Sequence, residues 1–218
     1  GTCSVTATMA GNTNYDEVSS SATTVTFGAK ALTITGVTAS NKVYDGSTSA
    51  TLDFGSASLV GVVPGDSSSE VDIDSSSASG EFASSAVGTD VAVTVTGVAL
   101  TGTNASSYLL TQPTGLTADI LSASRTLLFS TTSYSKTYGG APFTVSASPS
   151  VGTGAVTYSV SGSACTVNSS AGLVTITGAG TCSISATVAT DGVYDSASTT
   201  TPATVAVDKA PLTVTAGD

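Results

Sequence analysis

The stretch Val91–Thr96, with the sequence VAVTVT, decides the fold class. Valine occupies every second position, and alanine or threonine fills the positions between. A period of two is typical of a β-strand that turns one face to a core and the other to solvent. Threonine and valine also fit a pleated surface better than a helix. The stretch therefore predicts a half-buried strand.

The same alternation recurs on both sides of this stretch, and turn-forming Gly, Asn, Asp and Pro separate the segments. The further strand-like segments are Leu32–Thr35, Phe143–Ala147, Val156–Val160, Val174–Thr177, Ile184–Val188 and Val205–Val207. No segment has a convincing helical pattern. Several short strands in each unit of about 90 residues are typical of immunoglobulin-like sandwiches. We therefore expect an all-β chain of tandem immunoglobulin-like β-sandwich domains.

The composition excludes two classes of partner. Charged residues make up only 9% of the chain, against roughly 25% in ordinary domains, and the formal net charge is −10. An acidic surface repels phosphate backbones, so we expect no nucleic-acid partner. Ser, Thr or Gly interrupts every apolar run well before the roughly 18 residues of a spanning helix. We therefore expect no membrane insertion in this segment.

A long internal repeat organises the chain. The sequence GTCSVTAT at residues 1–8 returns as GTCSISAT at residues 180–187, an offset of 179. Tyr15-Asp16 and Tyr194-Asp195 continue the match at the same offset. Repetition at a fixed period indicates an array of similar structural units.

A weaker echo divides this period into two units. KVYDG at residues 42–46 recurs as KTYGG at residues 136–140, an offset of 94. We therefore predict a closing part of a truncated immunoglobulin-like repeat at 1–29, complete sandwiches at 30–121 and 122–209, and the first strand of a following repeat at 210–218. The opening strands for residues 1–29 are expected before Gly1. No Gly/Ser-rich spacer separates the units, which predicts an end-to-end arrangement.

Several motifs carry a resemblance to known bacterial repeats. They are NKVYDGSTSATL at 41–52, GVVPGD at 61–66, GEFA at 80–83 and SYLL at 107–110. Together they resemble the YDG repeat of bacterial surface proteins. SKTYGGAPF at 135–143 and GAGTC at 178–182 resemble MBG-type and related bacterial immunoglobulin-like repeats. The resemblance implies a large secreted adhesin or surface filament with modules in tandem, and it implies no catalytic or binding residues.

The three cysteines fit a secreted setting. Cys165 and Cys182 flank the strand-like run Leu173–Thr177, and we expect them to form a disulfide between neighbouring antiparallel strands. Two buried free thiols are the alternative. Cys3 is the repeat-equivalent of Cys182, so its partner is expected before Gly1 and Cys3 is expected to be unpaired.

An acidic run is the best candidate for binding a hard cation. It comprises Asp66, Glu70, Asp72 and Asp74. Ca²⁺ prefers clustered carboxylate oxygens, so the run is a candidate calcium site. The alternative is that Asp72 and Asp74 share one face of a strand and keep a sheet edge soluble. No other cofactor is expected.

The motif Tyr44-Asp45-Gly46 and its echo Tyr138-Gly139-Gly140 are predicted to be structural turns. Glycine supplies a positive φ, and the preceding tyrosine packs its ring while its hydroxyl reaches backbone. A ligand-binding loop is the alternative, because loops carry many binding sites. The recurrence of tyrosine in the repeat favours the architectural role.

These features predict a structural repeat segment, either a stiff spacer or a filament shaft, of a large extracellular protein on the bacterial cell surface. Its expected partners are neighbouring repeats of the same chain, with lateral self-association in a filament. The alternative is an adhesive module that binds glycan or protein on a target surface. We expect no enzyme, because the chain has no histidine for a triad or a zinc site.

Overall fold

The computed structural model describes residues 1–214 and is all-β, with 48% strand. Among those residues the one helical element is a 3₁₀ turn at Ala105–Ser107. The chain divides into two compact units. The first unit comprises Gly1–Lys42, Ser47–Ser85 and Thr89–Asp119, and the second comprises Val43–Gly46, Ala86–Gly88 and the chain from Ile120 onward.

Residues 1–29 hold four short strands. They are β1 (Thr2–Val5), β2 (Thr8–Met9), β3 (Val18–Ser19) and β4 (Thr23–Thr26). β1 pairs with β4, and β2 pairs with β3, in both cases antiparallel. Every residue of this segment is exposed. The segment therefore has strand pairing but no core of its own.

Twelve strands follow in the region that the sequence assigned to the first complete sandwich. They are β5 (Lys30–Thr35), β6 (Thr38–Ala39), β7 (Lys42–Val43), β8 (Ser49–Ala50), β9 (Leu52–Asp53), β10 (Ser58–Val60), β11 (Asp72–Asp74), β12 (Ser79–Phe82), β13 (Gly88–Thr96), β14 (Ala99–Thr101), β15 (Tyr108–Thr111) and β16 (Leu116–Leu121). One sheet has the order β10-β5-β15 and another the order β7-β16-β13-β12-β8. The antiparallel pairs β11-β14 and β6-β9 form two further two-stranded sheets.

The core of the first unit lies between its two larger sheets. Ile34 from β5 and Val95 from β13 belong to one buried cluster, with Val37 and Val98 beside them. The VAVTVT stretch lies in β13, and it buries Val93 and Val95 while its threonines stay exposed. Two sheets that share a core in this way form a β-sandwich. The half-buried strand predicted from the alternation is therefore confirmed.

Ten strands of the described chain lie wholly within the second unit. They are β17 (Leu127–Phe129), β18 (Ser133–Thr137), β19 (Phe143–Thr144), β20 (Ala147–Pro149), β21 (Val156–Ser161), β22 (Cys165–Val167), β23 (Leu173–Ile176), β24 (Gly180–Val188), β25 (Ala197–Ser198) and β26 (Ala203–Asp208). The larger sheet has the order β18-β26-β24-β21, with β25 also paired to β24. The smaller sheets are β19-β23-β22 and β17-β20.

The core of the second unit is built from alternating residues of facing sheets. Val174 of β23, Ile184 of β24 and Val205 of β26 are all fully buried in one cluster. Since β23 belongs to the smaller sheet and β24 and β26 to the larger, this unit is also a β-sandwich.

The predicted opening strand at 210–218 falls partly on described residues. Residues 210–214 contain no strand, and residues 215–218 lie outside the described part of the chain. Within residues 1–214, the structure holds no helix with the length and apolar character that a membrane crossing requires.

Candidate functional site

The predicted disulfide is present, but its position in the fold differs from the expectation. Cys165 and Cys182 are bonded, with their Cα atoms 6.0 Å apart. Cys165 begins β22 in the smaller sheet, whereas Cys182 lies in β24 of the larger sheet. The bond therefore crosses the sandwich and does not join neighbouring strands. Both cysteines are buried, whereas Cys3 is exposed and free.

Arg125 forms the most densely bonded polar cluster of the second unit. Its side chain has no exposed surface. Its Nε donates to the carbonyl of Asp195 at 2.8 Å, and its Nη2 donates to the carbonyl of Ala189. Its Nη1 lies 3.1 Å from the Asp191 carboxylate and also donates to the carbonyl of Val151. One guanidinium thus holds three backbone segments together.

Asp191 organises the loop that faces Arg125. Its Oδ1 accepts hydrogen bonds from the backbone N–H groups of Val193 and Tyr194, and its Oδ2 accepts one from Thr153. These backbone donors, first that of Tyr194, and the nearby Arg125 charge lower the pKa of Asp191 to about 2. The carboxylate is therefore ionised throughout the neutral and mildly acidic range.

Two glycines leave the space that the guanidinium occupies. A Cβ on Gly152 would lie 2.7 Å from Nη1 of Arg125, and one on Gly154 would lie 2.6 Å from Nη2. Gly152 also has a φ of +80°, which L-residues with side chains rarely adopt. No local sequence pattern predicts this cluster. The available signal was that Arg125 is the only arginine in the sequence.

Acid is expected to destabilise the second unit through Asp191. The pKa of Asp191 in the folded chain, about 2, lies below its ordinary value of about 3.9. The ionised carboxylate therefore stabilises the fold fully at a pH above the ordinary pKa. This stabilisation is lost as the pH falls through the folded-state pKa. We expect the urea midpoint of the second unit to fall between pH 5 and pH 2, and to fall less steeply in Asp191→Asn.

Asparagine is compatible with position 191, because Asn12, which is equivalent to Asp191 at the offset of 179, makes the same kind of turn. Its Oδ1 accepts from the N–H groups of Asn14 and Tyr15. Glu17→Gln, which removes an exposed carboxylate outside the second unit, controls for the change in charge. Parallel midpoint curves for the parent chain and Asp191→Asn would contradict this role for Asp191.

The Tyr44-Asp45-Gly46 motif forms a bend at Gly46. Gly46 has a φ of +79°, and Nζ of the neighbouring Lys42 donates to Ser47 and Ser49. The half-buried Tyr44 ring stands edge-on to the ring of Tyr194, with centroids 6.1 Å apart. The motif therefore has the predicted positive φ at glycine and the predicted packing of the tyrosine ring.

The echo motif has a different backbone geometry, because its positive φ falls at Gly139, the equivalent of Asp45, and it exposes its ring. Gly139 has a φ of +83°, and the N–H of Gly140 donates to the carbonyl of Thr137 at 2.9 Å. The N–H of Tyr138 donates to the carbonyl of Asp208, while half of the Tyr138 side chain is exposed. The two motifs therefore differ both in backbone conformation and in how the tyrosine is used.

The candidate calcium site is not assembled. Among residues 1–214, no group of three or more His, Cys, Asp or Glu side chains is placed to hold a metal ion. Each carboxylate serves its own local turn or contact. Glu70 accepts from Ser67, which lowers its pKa, and Asp74 accepts from Ser76, which likewise lowers its pKa. Asp72 accepts from the backbone of Ile73, and Asp66 accepts from Tyr108.

Tyr108 and Asp66 form a polar cluster that sequence reasoning did not predict. The hydroxyl of the nearly buried Tyr108 donates to Asp66 at 2.5 Å and accepts from the N–H of Val63 at 3.1 Å. Asn104 donates to the other carboxylate oxygen at 3.0 Å. The hydrogen bond to Asp66 and burial raise the pKa of Tyr108. The cluster fixes two loops beside β15.

Replacing Tyr108 by phenylalanine is expected to lower the thermal midpoint of the first unit by about 5–10 °C. The change removes one hydroxyl but leaves the Val63 N–H and the Asp66 carboxylate in place without it. Thermal unfolding of the full chain, followed by circular dichroism, measures the shift. Tyr15→Phe, at an exposed ring, is the matched control, and an equal effect of both variants would show that the cluster is not stabilising.

Two shallow depressions illustrate the character of the surface. One of about 450 Å³ in the first unit is lined by Ser49, Ala50, Leu52, Phe54, Ser75, Ala78, Ser79 and Gly80. Another of about 460 Å³ in the second unit is lined by Tyr138, Thr177, Gly178, Ala179, Lys209, Ala210 and Leu212. The first has no ionisable side chain in its lining, and the second has only Tyr138 and Lys209.

The sequence repeat is also a structural repeat. In β2–β3, Thr8 pairs with Ser19, and at an offset of 179 Thr187 pairs with Ser198. The N–H of Ala7 donates to the side chain of Ser20, as that of Ala186 does to Thr199. The reciprocal backbone bonds, from Ser20 to Ala7 and from Thr199 to Ala186, are also present. Residues 1–29 and 180–208 therefore share local structure down to single hydrogen bonds.

Three solved structures are similar to the chain at low identity. Drosophila N-cadherin EC1-4 is 9% identical, with a TM-score of 0.31, 92% of this chain covered and 56% of that chain. The Clostridium thermocellum CbhA fibronectin(III)-like modules are 17% identical, with a TM-score of 0.30 and coverages of 86% and 99%. A SusE-like surface-located polysaccharide-binding protein of Bacteroides thetaiotaomicron is 13% identical, with a TM-score of 0.27 and coverages of 81% and 34%.

This chain thus spans little more than half of the N-cadherin structure that it matches. No curated protein matches it in sequence. Residues 28–115 match the YDG domain family. This range contains all the motifs, from residue 41 to residue 110, on which the resemblance to the YDG repeat rests. Residues 28–115 of this chain therefore form a YDG domain.

Proposed function

We propose that this chain is a structural repeat segment of a large extracellular bacterial surface protein. In this role YDG domains alternate with MBG-type immunoglobulin-like repeats, and the sandwiches act as a stiff spacer or a filament shaft. The observation that carries the proposal is the repeat of single hydrogen bonds between residues 1–29 and 180–208. A chain that reuses one local structure at a fixed period is typical of an array.

Strand pairing in the second unit supports a mechanical role. β18 lies early in the unit and β26 lies late, and the two run parallel from Ser133 opposite Thr204 to Thr137 opposite Asp208. A pull on the two ends of this unit loads such a pair along the strands. Its hydrogen bonds then resist together instead of opening one at a time.

The first unit also contains a parallel pair, but β16 of the other sheet follows it along the chain. β5 and β15 run parallel, from Lys30 opposite Tyr108 to Thr33 opposite Thr111. The disulfide adds a covalent limit in the second unit, because the residues between Cys165 and Cys182 cannot be extended while it is intact. These features support load bearing, and the proposal assigns no catalytic role to the chain.

Labelling of intact source cells tests the proposed location. An antibody raised against residues 30–209 is expected to bind cells that have not been permeabilised. Binding only after lysis would overturn the extracellular assignment. The purified chain, screened against glycans and surface proteins, is expected to bind none specifically, whereas saturable binding would favour the adhesive module over the spacer.

A further inference from the structure

The sequence contains two Asp-Gly pairs, and the fold holds them differently. They are Asp45-Gly46 and Asp191-Gly192. In such a pair the backbone nitrogen of the glycine can attack the side-chain carboxyl carbon of the aspartate, because no Cβ on the second residue blocks its approach. A succinimide ring forms and water leaves. Water then opens the ring at either carbonyl, which yields aspartate or isoaspartate.

The pair Asp191-Gly192 is held in a way that opposes this reaction. The Asp191 carboxylate accepts three backbone hydrogen bonds and lies 3.1 Å from Nη1 of Arg125. Backbone donors, first that of Tyr194, lower its pKa to about 2, and an ionised carboxylate gives up oxygen far less readily than the protonated acid. The attacking nitrogen is also engaged, since the N–H of Gly192 donates to Oγ1 of Thr190 at 3.3 Å.

The pair Asp45-Gly46 lies on a bend that solvent reaches. Both residues are exposed. Outside the adjoining residues, the nearest neighbour of a Cβ built on Gly46 would be the Tyr44 hydroxyl, 4.0 Å away. An exposed aspartate side chain in open surroundings can rotate until its carboxyl carbon meets the following nitrogen. Solvent water is also at hand to open the ring, so this pair meets the conditions of the reaction.

We propose that Asp45 is a site of spontaneous modification to isoaspartate, whereas the fold protects Asp191. The Gly46 nitrogen bonds to Cγ of Asp45 and loses its proton, and one carboxyl oxygen leaves as water. A second water then adds to the Asp45 backbone carbonyl carbon and breaks its bond to the Gly46 nitrogen. The product links Asp45 to Gly46 through the former side chain and has an unchanged composition. This modification goes beyond the spacer role, and neither depends on the other.

The position of the site gives the modification a structural consequence. Isoaspartate places the Cβ of Asp45 in the main chain, which becomes one atom longer between Tyr44 and Gly46. Tyr44 is anchored next to this point, because its N–H donates to the carbonyl of Leu121 at 2.8 Å and its ring stands edge-on to that of Tyr194. The extra length is therefore absorbed in the bend at Gly46.

Heavy-oxygen water measures the reaction directly. The full chain is kept in warm, mildly acidic buffer made with this water, and each ring opening places one heavy oxygen in the product. Mass spectrometry of peptides locates the label, and fragmentation of the same peptides distinguishes isoaspartate from aspartate. We expect the label to enter Asp45 at least about tenfold faster than Asp191, because Asp191 gives up several hydrogen bonds before it reacts.

Two controls separate the effect of the fold from that of the sequence. In the reduced chain unfolded in guanidinium, Asp45 and Asp191 are expected to take up label at similar rates, because glycine follows both. Gly46→Ala is expected to lose most of the label at Asp45, because the methyl group shields the nitrogen, and to keep the rate at Asp191.

Three results would overturn the proposal. The first is labelling of Asp45 in the folded chain that is no faster than labelling of Asp191. The second is a preference for Asp45 that persists in the unfolded chain, since the neighbouring sequence would then cause it. The third is label at Asp45 without isoaspartate, since carboxyl oxygens would then exchange without a ring.

Discussion

Replacing Arg125 by methionine is expected to lower the free energy of unfolding of the second unit by about 3 kcal/mol. Methionine keeps much of the volume but removes every donor. The carbonyls of Ala189 and Asp195 then lose a buried partner, and Asp191 loses its countercharge. Urea unfolding of the full chain, followed by circular dichroism, measures the change.

Two further variants show what Arg125 contributes. Arg125→Lys retains the charge without the planar fork and is expected to lie between the parent chain and Arg125→Met. Lys30→Met removes an exposed cation from the first unit and is expected to change stability by less than about 0.5 kcal/mol. A value for Arg125→Met as small as that for Lys30→Met would show that the cluster does not stabilise the fold.

Removing the disulfide is expected to have an effect of similar size. A double change of Cys165 and Cys182 to alanine should destabilise the second unit by about 3 kcal/mol, because a bond that closes a loop of this length restricts the unfolded chain. Urea unfolding of the double variant measures the loss, and reductant should reproduce it in the parent chain.

The transition of the first unit should not move, since it does not contain these cysteines. Cys3→Ser is the control, because Cys3 is exposed and free and its loss should leave both transitions in place. Identical second transitions for the parent and the double variant would contradict a stabilising role for the bond.

Local alternation predicted the strands well, because a strand that buries one face has an apolar residue at every second position. Val91–Thr96 lies in β13, and Ile184–Val188 buries its outer and central residues as the pattern indicated. The pairing of strands was harder to predict from the sequence. The cysteines were expected on neighbouring strands, but β22 and β24 lie in different sheets, and alternation alone does not specify which sheet a strand joins.

Polar clusters were the hardest features to predict, since they join residues far apart in sequence. Arg125 meets Asp191, and Tyr108 meets Asp66, through loops whose paths no local pattern describes. The acidic run does not form a metal site for a different reason. Nearby serines and backbone N–H groups engage Glu70 and Asp74 singly, so proximity in sequence did not bring their carboxylates together.

Single-molecule force spectroscopy of the full chain, held by its two ends, tests the mechanical claim most directly. We predict discrete unfolding steps, because the parallel pair β18–β26 is loaded in shear. In the Cys165→Ala/Cys182→Ala variant, the step of the second unit should lengthen by about 50 Å, the extension of the released 17-residue separation. Smooth extension without steps, or equal step lengths for both chains, would contradict the account.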